Sequence, residues 1–279
     1  MTIQSTSGKQ QMKSIWVVGA STGIGASLVS ELDEANVQIF VSARNLTKIK
    51  TLFPQCSARI IPLEMDMVDE ASVEHAVAMM REHTSHLDLV IINAGTCEYI
   101  DSVSIDVASV KRVVDTNFYG ALNITDASLP LLRAAKNVSK NAPQLVVVSS
   151  SVTYQALPRA GAYGASKAAI RYMMESLKLD LQHEGIDVRV VSPGFVKTPL
   201  TDKNDFPMPF RITADDAAQR IVKGLKGKAF DIHFPKRFTY ILKVLSCLPD
   251  RMRFSLVGKS SRHIEENPEL IPSPYEGEG

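Results

Sequence analysis

Six short strand-like runs, each rich in β-branched residues and separated by stretches with helical spacing, constrain this chain most tightly. They are Ser14-Ile15-Trp16-Val17-Val18, Val37-Gln38-Ile39-Phe40-Val41, Arg59-Ile60-Ile61, Leu87-Asp88-Leu89-Val90-Ile91-Ile92, Leu145-Val146-Val147-Val148 and Val188-Arg189-Val190-Val191. Near-continuous apolar strands belong in a parallel sheet covered on both faces. Leu28, Val29 and Leu32 precede the second run, and Val73, Ala76, Val77 and Met80 the fourth, at spacings that share one helix face. Longer helices are predicted over residues 107–135 and 162–183. Unbroken alternation of strand and helix implies right-handed crossovers, hence an α/β fold with a doubly wound parallel sheet. No repeat, linker or shift in composition divides the 279 residues, so a single domain spanning residues 14–258 is expected.

After Pro193 the pattern changes. Residues 197–212 set Pro199, Pro207 and Pro209 around Phe206, Met208 and Phe210, which predicts an irregular apolar loop suited to meet a substrate. A helix over 215–226 and a short strand over 230–234 follow. Residues 235–258 form a helical extension in which Lys236-Arg237-Phe238-Thr239-Tyr240-Ile241-Leu242-Lys243-Val244-Leu245 mixes basic and apolar side chains, and Arg251-Met252-Arg253-Phe254 repeats the mixture. Such an extension lies on a membrane surface, covers a pocket, packs against a second subunit, or simply packs on its own core. Residues 1–13 and 259–279 are expected to be loose.

Composition narrows the partners. Lys plus Arg total 31 and Asp plus Glu 30, so the chain has no general attraction for nucleic acid. Cys56, Cys97 and Cys247 offer neither a disulfide framework nor a zinc spacing, and His83, His86 and Cys97 match no metal pattern. No metal is expected. The polar start and the lack of an 18-residue apolar run predict a soluble cytoplasmic protein, with the extension as the candidate for peripheral membrane contact.

The first strand runs into Gly19-Ala20-Ser21-Thr22-Gly23-Ile24-Gly25, where a helix opens. Glycines let such a turn tighten and let a pyrophosphate approach backbone N–H groups at the positive end of the helix. The spacing is G-x-x-x-G-x-G rather than the general G-x-G-x-x-G, but the turn follows the first strand, where a doubly wound sheet binds nucleotides. An acid at the end of the second strand would hold ribose hydroxyls. This strand ends Val41-Ser42-Ala43-Arg44 instead, and the next acid is Glu64. Arg44 is suited to a 2′-phosphate, which favours NADP over NAD; its alternative is a solvated strand-end arginine.

Tyr163-Gly164-Ala165-Ser166-Lys167 opens a predicted helix and places Tyr163 and Lys167 on one face. A phenol with pKa near ~10 is a poor acid or base at neutral pH, and a neighbouring ammonium lowers that value. Such a pair can give a proton to a ketone oxygen or take one from an alcohol.

The glycine turn, Asn93-Ala94-Gly95 after the fourth strand, Asn117, Ser150, Tyr163, Lys167 and Pro193-Gly194 occur together and in order. The set resembles the short-chain dehydrogenase/reductase family over roughly residues 14–200, which implies a single-domain Rossmann-type fold. The resemblance implies Tyr163 as catalytic acid/base, Lys167 holding the nicotinamide ribose and lowering the Tyr163 pKa, and Asn117 completing a water-linked relay to Lys167. Among Ser149, Ser150 and Ser151 it selects Ser150, 13 residues before the tyrosine, to orient the substrate oxygen. It further implies cofactor contacts from Gly19, Ser21, Thr22, Gly23, Ile24, Gly25, Asn93, Ala94 and Gly95, with Asp66 and Met67 at the adenine. Pro193, Gly194, the Val196 backbone and the Thr198 hydroxyl would seat the carboxamide. Ile92 departs from the family's usual asparagine, and Thr22 occupies its alternative basic position, so NADP preference rests on Arg44.

The expected activity is hydride transfer between NADP(H) and a carbonyl or secondary alcohol of an apolar small molecule, in a homodimer or homotetramer joined through the two long helices. A cofactor-binding regulator without turnover is the alternative, and the intact Ser150, Tyr163 and Lys167 argue against it. Sugar-nucleotide epimerases use a similar pair but need a larger C-terminal domain than the roughly 80 residues after Pro199.

Overall fold

The computed structural model describes residues 13–54, 59–100, 104–202, 204 and 206–258. The expectations for residues 1–12, 259–279 and Cys56 lie outside them. Seven strands form one parallel sheet: β1 Lys13–Val18, β2 Val37–Ala43, β3 Ile60–Glu64, β4 Leu89–Ile92, β5 Gln144–Val148, β6 Asp187–Pro193 and β7 Asp231–Phe234. Their order is β3-β2-β1-β4-β5-β6-β7. Val17 stands between Val41 and Ile91, so the crevice where the strand order reverses opens beyond the carboxyl ends of β1 and β4.

The helices are α1 Gly23–Leu32, α2 Leu46–Leu52, α3 Glu70–Arg81, α4 Val107–Val114, α5 Gly120–Ala135, α6 Gly161–Leu181, α7 Ala214–Leu225, α8 Lys236–Ser246 and α9 Asp250–Gly258. Side chains alternate across the sheet. Ile15, Val17, Ile39, Val41, Leu89 and Ile91 face α1 and α7, while Trp16, Val18, Phe40, Val90 and Ile92 face α3, α5 and α6. Each fully buried aliphatic or aromatic side chain contributes roughly 1.5–3 kcal/mol, and these two layers hold the sheet on both sides.

The structure departs from the predicted helix 107–135 at its middle. Between α4 and α5, Asp115–Tyr119 forms a π-helical turn, and the Gly120 N–H donates to the Asp115 carbonyl. This extra residue brings Asn117 inward. The described residues between 197 and 212 form no helix or strand; an isolated bridge joins Val196 to Ile212, and Arg211 bonds Thr201 and Asp202 across the loop. Among the described residues no helix is long and apolar enough to cross a membrane.

Candidate active site

The glycine turn is built by close approach. Gly19 has φ +81° and its N–H donates to the Ser42 carbonyl at 2.8 Å. A Cβ there would lie 2.5 Å from the Ala94 backbone, and one on Gly25 would lie 2.2 Å from the Gly19 carbonyl oxygen. The Asn93 amide donates to that oxygen at 2.9 Å, so the segment after β4 braces the turn after β1. Thr22 caps α1 in extended backbone without a side-chain bond, and the first turn of α1 carries no acid. The positive end of α1 is left for an external anion.

A cleft of about 840 Å³ starts at this turn and is lined by Gly19, Ser21, Thr22, Gly23, Ile24 and Arg44, by Asp66 and Met67, and by Asn93, Ala94 and Gly95. It continues past Ser150, Tyr163 and Lys167 to Pro193, Gly194, Val196 and Thr198. Gly25 and Asn117 do not line it: Gly25 packs beneath the turn, and Asn117 is buried behind Gly95. Arg44 is not alone. Asn45 accepts from the Lys48 N–H at 2.8 Å to cap α2, and Lys48 lines the cleft beside Arg44. Glu64 is paired opposite Ala43 and lies outside the cleft.

At the other end, α6 presents Tyr163 in its first turn and Lys167 one turn on. The Lys167 Nζ donates to the Val148 carbonyl at 2.8 Å and lies 5.9 Å from the centre of the Tyr163 ring. The three serines separate by their bonds. Ser149 Oγ donates to the Lys167 carbonyl at 3.0 Å and Ser151 is buried, whereas Ser150 Oγ accepts from the Val152 N–H at 3.2 Å to cap a short 3-10 turn and lies close enough to the Tyr163 hydroxyl to lower its pKa. Asn117 accepts from the Thr96 N–H at 2.8 Å and donates to the Thr96 carbonyl at 2.8 Å and to Ser166 Oγ at 3.0 Å. Its amide clamps the loop after β4 to α6.

Burial sets the electrostatics here. It pushes the Tyr163 phenol up to about 12, against the downward pull of the Ser150 hydrogen bond. Burial also lowers the Lys167 ammonium to about 8. Burial thus raises the phenol, against the lowered value expected from a Tyr–Lys helix pair, and the Lys167 Nζ is turned toward the Val148 carbonyl. Burial raises the neighbouring Cys97 thiol to about 11, which leaves it protonated and unreactive at neutral pH.

Tyr99, Phe195, Phe206 and Phe238 form an aromatic cluster that does not itself line this cleft. Tyr99 donates to Asn204 Oδ1 at 2.7 Å and meets Phe206 edge-on at 5.6 Å. Phe195 lies 6.0 Å from Phe206 and 5.3 Å from Phe238 between ring centres. A Cβ on Gly194 would stand 2.8 Å from Phe238, so α8 rests directly on the segment after β6. Sequence reading singled out Phe206 but missed Tyr99 and Phe195 against it, together with Lys48 on the cleft. They come from separate segments and share no local spacing.

A doubly wound sheet with a glycine turn at its switch point, and a Ser–Tyr–Lys group in the same cleft, defines a Rossmann-type oxidoreductase class. The family model described as short chain dehydrogenase matches residues 13–207, and the chain belongs to that family. It is 32% identical over 237 residues to an uncharacterized oxidoreductase of Myxococcus xanthus, covering 84% of this chain and 92% of that protein. It is 28% identical over 257 residues to 11-beta-hydroxysteroid dehydrogenase 1A of Arabidopsis thaliana, covering 84% and 72%. A short chain dehydrogenase from Burkholderia cenocepacia, crystallised with NADP, shares the fold with a TM-score of 0.74 at 24% identity, over 89% of this chain and 97% of that one.

Proposed function

We propose that the protein uses NADP(H) to reduce a ketone or aldehyde, or to oxidise the matching secondary alcohol, on a compound with an apolar body. One observation carries this reading: Ser150, Tyr163 and Lys167 meet in the same cleft as the glycine turn. The cleft fits the cofactor, because the N-terminus of α1 lacks an anion of its own and Arg44 and Lys48, two cations lining the same cleft, would hold a 2′-phosphate. When bound, the nicotinamide supplies or accepts the hydride. Tyr163, held as a phenol by burial, gives its proton to the carbonyl oxygen. Ser150, already close to the Tyr163 hydroxyl, steadies charge growing on that oxygen. The Lys167 ammonium favours the phenolate left behind. Since Lys167 titrates at about 8, reduction should weaken as pH rises through that value.

The NADP of the Burkholderia structure supports the cofactor reading, and the Arabidopsis relative's name supports an alcohol on an apolar skeleton. The aromatic cluster of Tyr99, Phe195, Phe206 and Phe238, which packs against the cleft-lining Gly194 through Phe238, supports the apolar body. Tyr119, Tyr172 and Leu179, exposed on the two long helical segments, support a homodimer or homotetramer joined there.

The cofactor reading is tested by steady-state kinetics with both dinucleotides across a panel of ketones and aldehydes. Replacing Arg44 and Lys48 together with alanine is expected to lower kcat/KM for NADPH about a hundredfold and to leave NADH within a few-fold. Equal losses with both would contradict it.

A further inference from the structure

We infer that the outward face of α8 and α9 docks on an anionic lipid surface, as a peripheral contact. The inner face of α8 is fixed: Phe238, Thr239 and Leu242 are buried, and Lys243 Nζ lies 3.5 Å from Asp231 Oδ2 and 4.5 Å from the Tyr154 ring centre. The opposite stripe, Tyr240, Ile241 and Val244, is exposed, Val244 to 64%. Helix α9 buries none of its residues, and Met252, Phe254 and Leu256 all stand in the open. An amphipathic helix normally hides its apolar side. Here six large apolar side chains on two consecutive helices are each at least 49% exposed, although His233 meets the Tyr240 ring and Arg253 the Phe254 ring.

Charge selects the occupant. On the outside these helices present Lys236, Arg237 and Arg251, while Lys243 is turned inward to Asp231 and Arg253 pairs with Asp250, the single acid of residues 235–258, in a chain whose net charge is only +1. A second copy meeting this face across a two-fold axis would set the same basic patch against itself. A bilayer rich in anionic headgroups complements both parts of the face, taking the apolar stripe below the headgroups and the basic side chains among them. Aromatic residues interleaved with Lys and Arg suit that interface, and neither helix is long enough to cross it. Phe210 is 47% exposed, has φ +57°, and its ring centre lies 6.3 Å from that of Phe238.

The test is cosedimentation of the full chain with vesicles of phosphatidylcholine alone, or of two parts phosphatidylcholine to one part phosphatidylglycerol. It is independent of the reductase reading because it measures binding. The protein is expected to sediment with the anionic vesicles and to be released in about 0.5 M salt, each basic residue at the surface contributing about fivefold. Val244→Glu combined with Phe254→Glu should lower the partition coefficient at least about tenfold while melting as the wild type does. Met79→Glu, at an exposed apolar position on α3, should leave it unchanged. Absence of sedimentation, equal sedimentation with neutral vesicles, or a double variant that binds as well as the wild type would overturn the inference. So would light scattering showing that the double variant dissociates a wild-type oligomer, which would assign the face to self-association.

Discussion

Replacing Tyr163 with phenylalanine is expected to reduce carbonyl turnover by about 10²–10⁴-fold, the range over which a positioned acid accelerates proton transfer. The ring and its place on α6 remain, so dinucleotide binding should change by no more than a few-fold. The hydroxyl is the group close to Ser150, and no other phenol lines that stretch of the cleft. Stopped-flow turnover beside a fluorescence titration of NADPH separates the two effects. Turnover near the wild-type rate would remove Tyr163 from the mechanism.

Lys167→Met is expected to abolish turnover and yet raise the melting temperature. Lys167 is 4% exposed, and burial depresses its ammonium from 10.5 to about 8. Between those values the unfolded chain binds the proton more strongly, so stability rises with pH across that window, and the charged form costs stability in full below it. The shift corresponds to about 3 kcal/mol. Methionine removes that cost but strips the Val148 carbonyl of its 2.8 Å donor, a loss of about 1 kcal/mol. The net gain of about 2 kcal/mol should raise Tm by several degrees at neutral pH. Calorimetry without dinucleotide checks it, and the wild-type rise in Tm from pH 8 toward 10.5 should shrink in the variant. A variant that melts lower at neutral pH would show that the Val148 bond outweighs desolvation.

Most of the fold was readable because its causes are local or periodic. The apolar runs ending at Val18, Val41, Ile92, Val148 and Val191 became central strands, and the Gly19–Gly25 turn sits at the switch point they create. The ordered motifs likewise placed Ser150, Tyr163 and Lys167 in one cleft. What stayed hidden depends on contacts between distant segments. The apolar pattern of 107–135 runs unbroken through the π turn, whose Asn117 is held by bonds to Thr96 and Ser166. Helical spacing sets Lys167 near Tyr163 but says nothing of the burial that raises the phenol. Lys48 looks like any lysine on a surface helix until the cap at Asn45 sets it on the cleft wall.

The central claim is that this cleft joins a nicotinamide to a carbonyl beside Tyr163. Its most direct measurement is reduction of the best ketone or aldehyde from the panel with NADPH deuterated at the nicotinamide C4, followed by mass spectrometry of the product. One deuterium on the carbinol carbon with wild-type protein, and almost none with Tyr163→Phe under the same conditions, is the predicted result. Binding of NADPH with no labelled alcohol from any carbonyl in the panel would contradict the account and leave the fold as a cofactor-binding regulator.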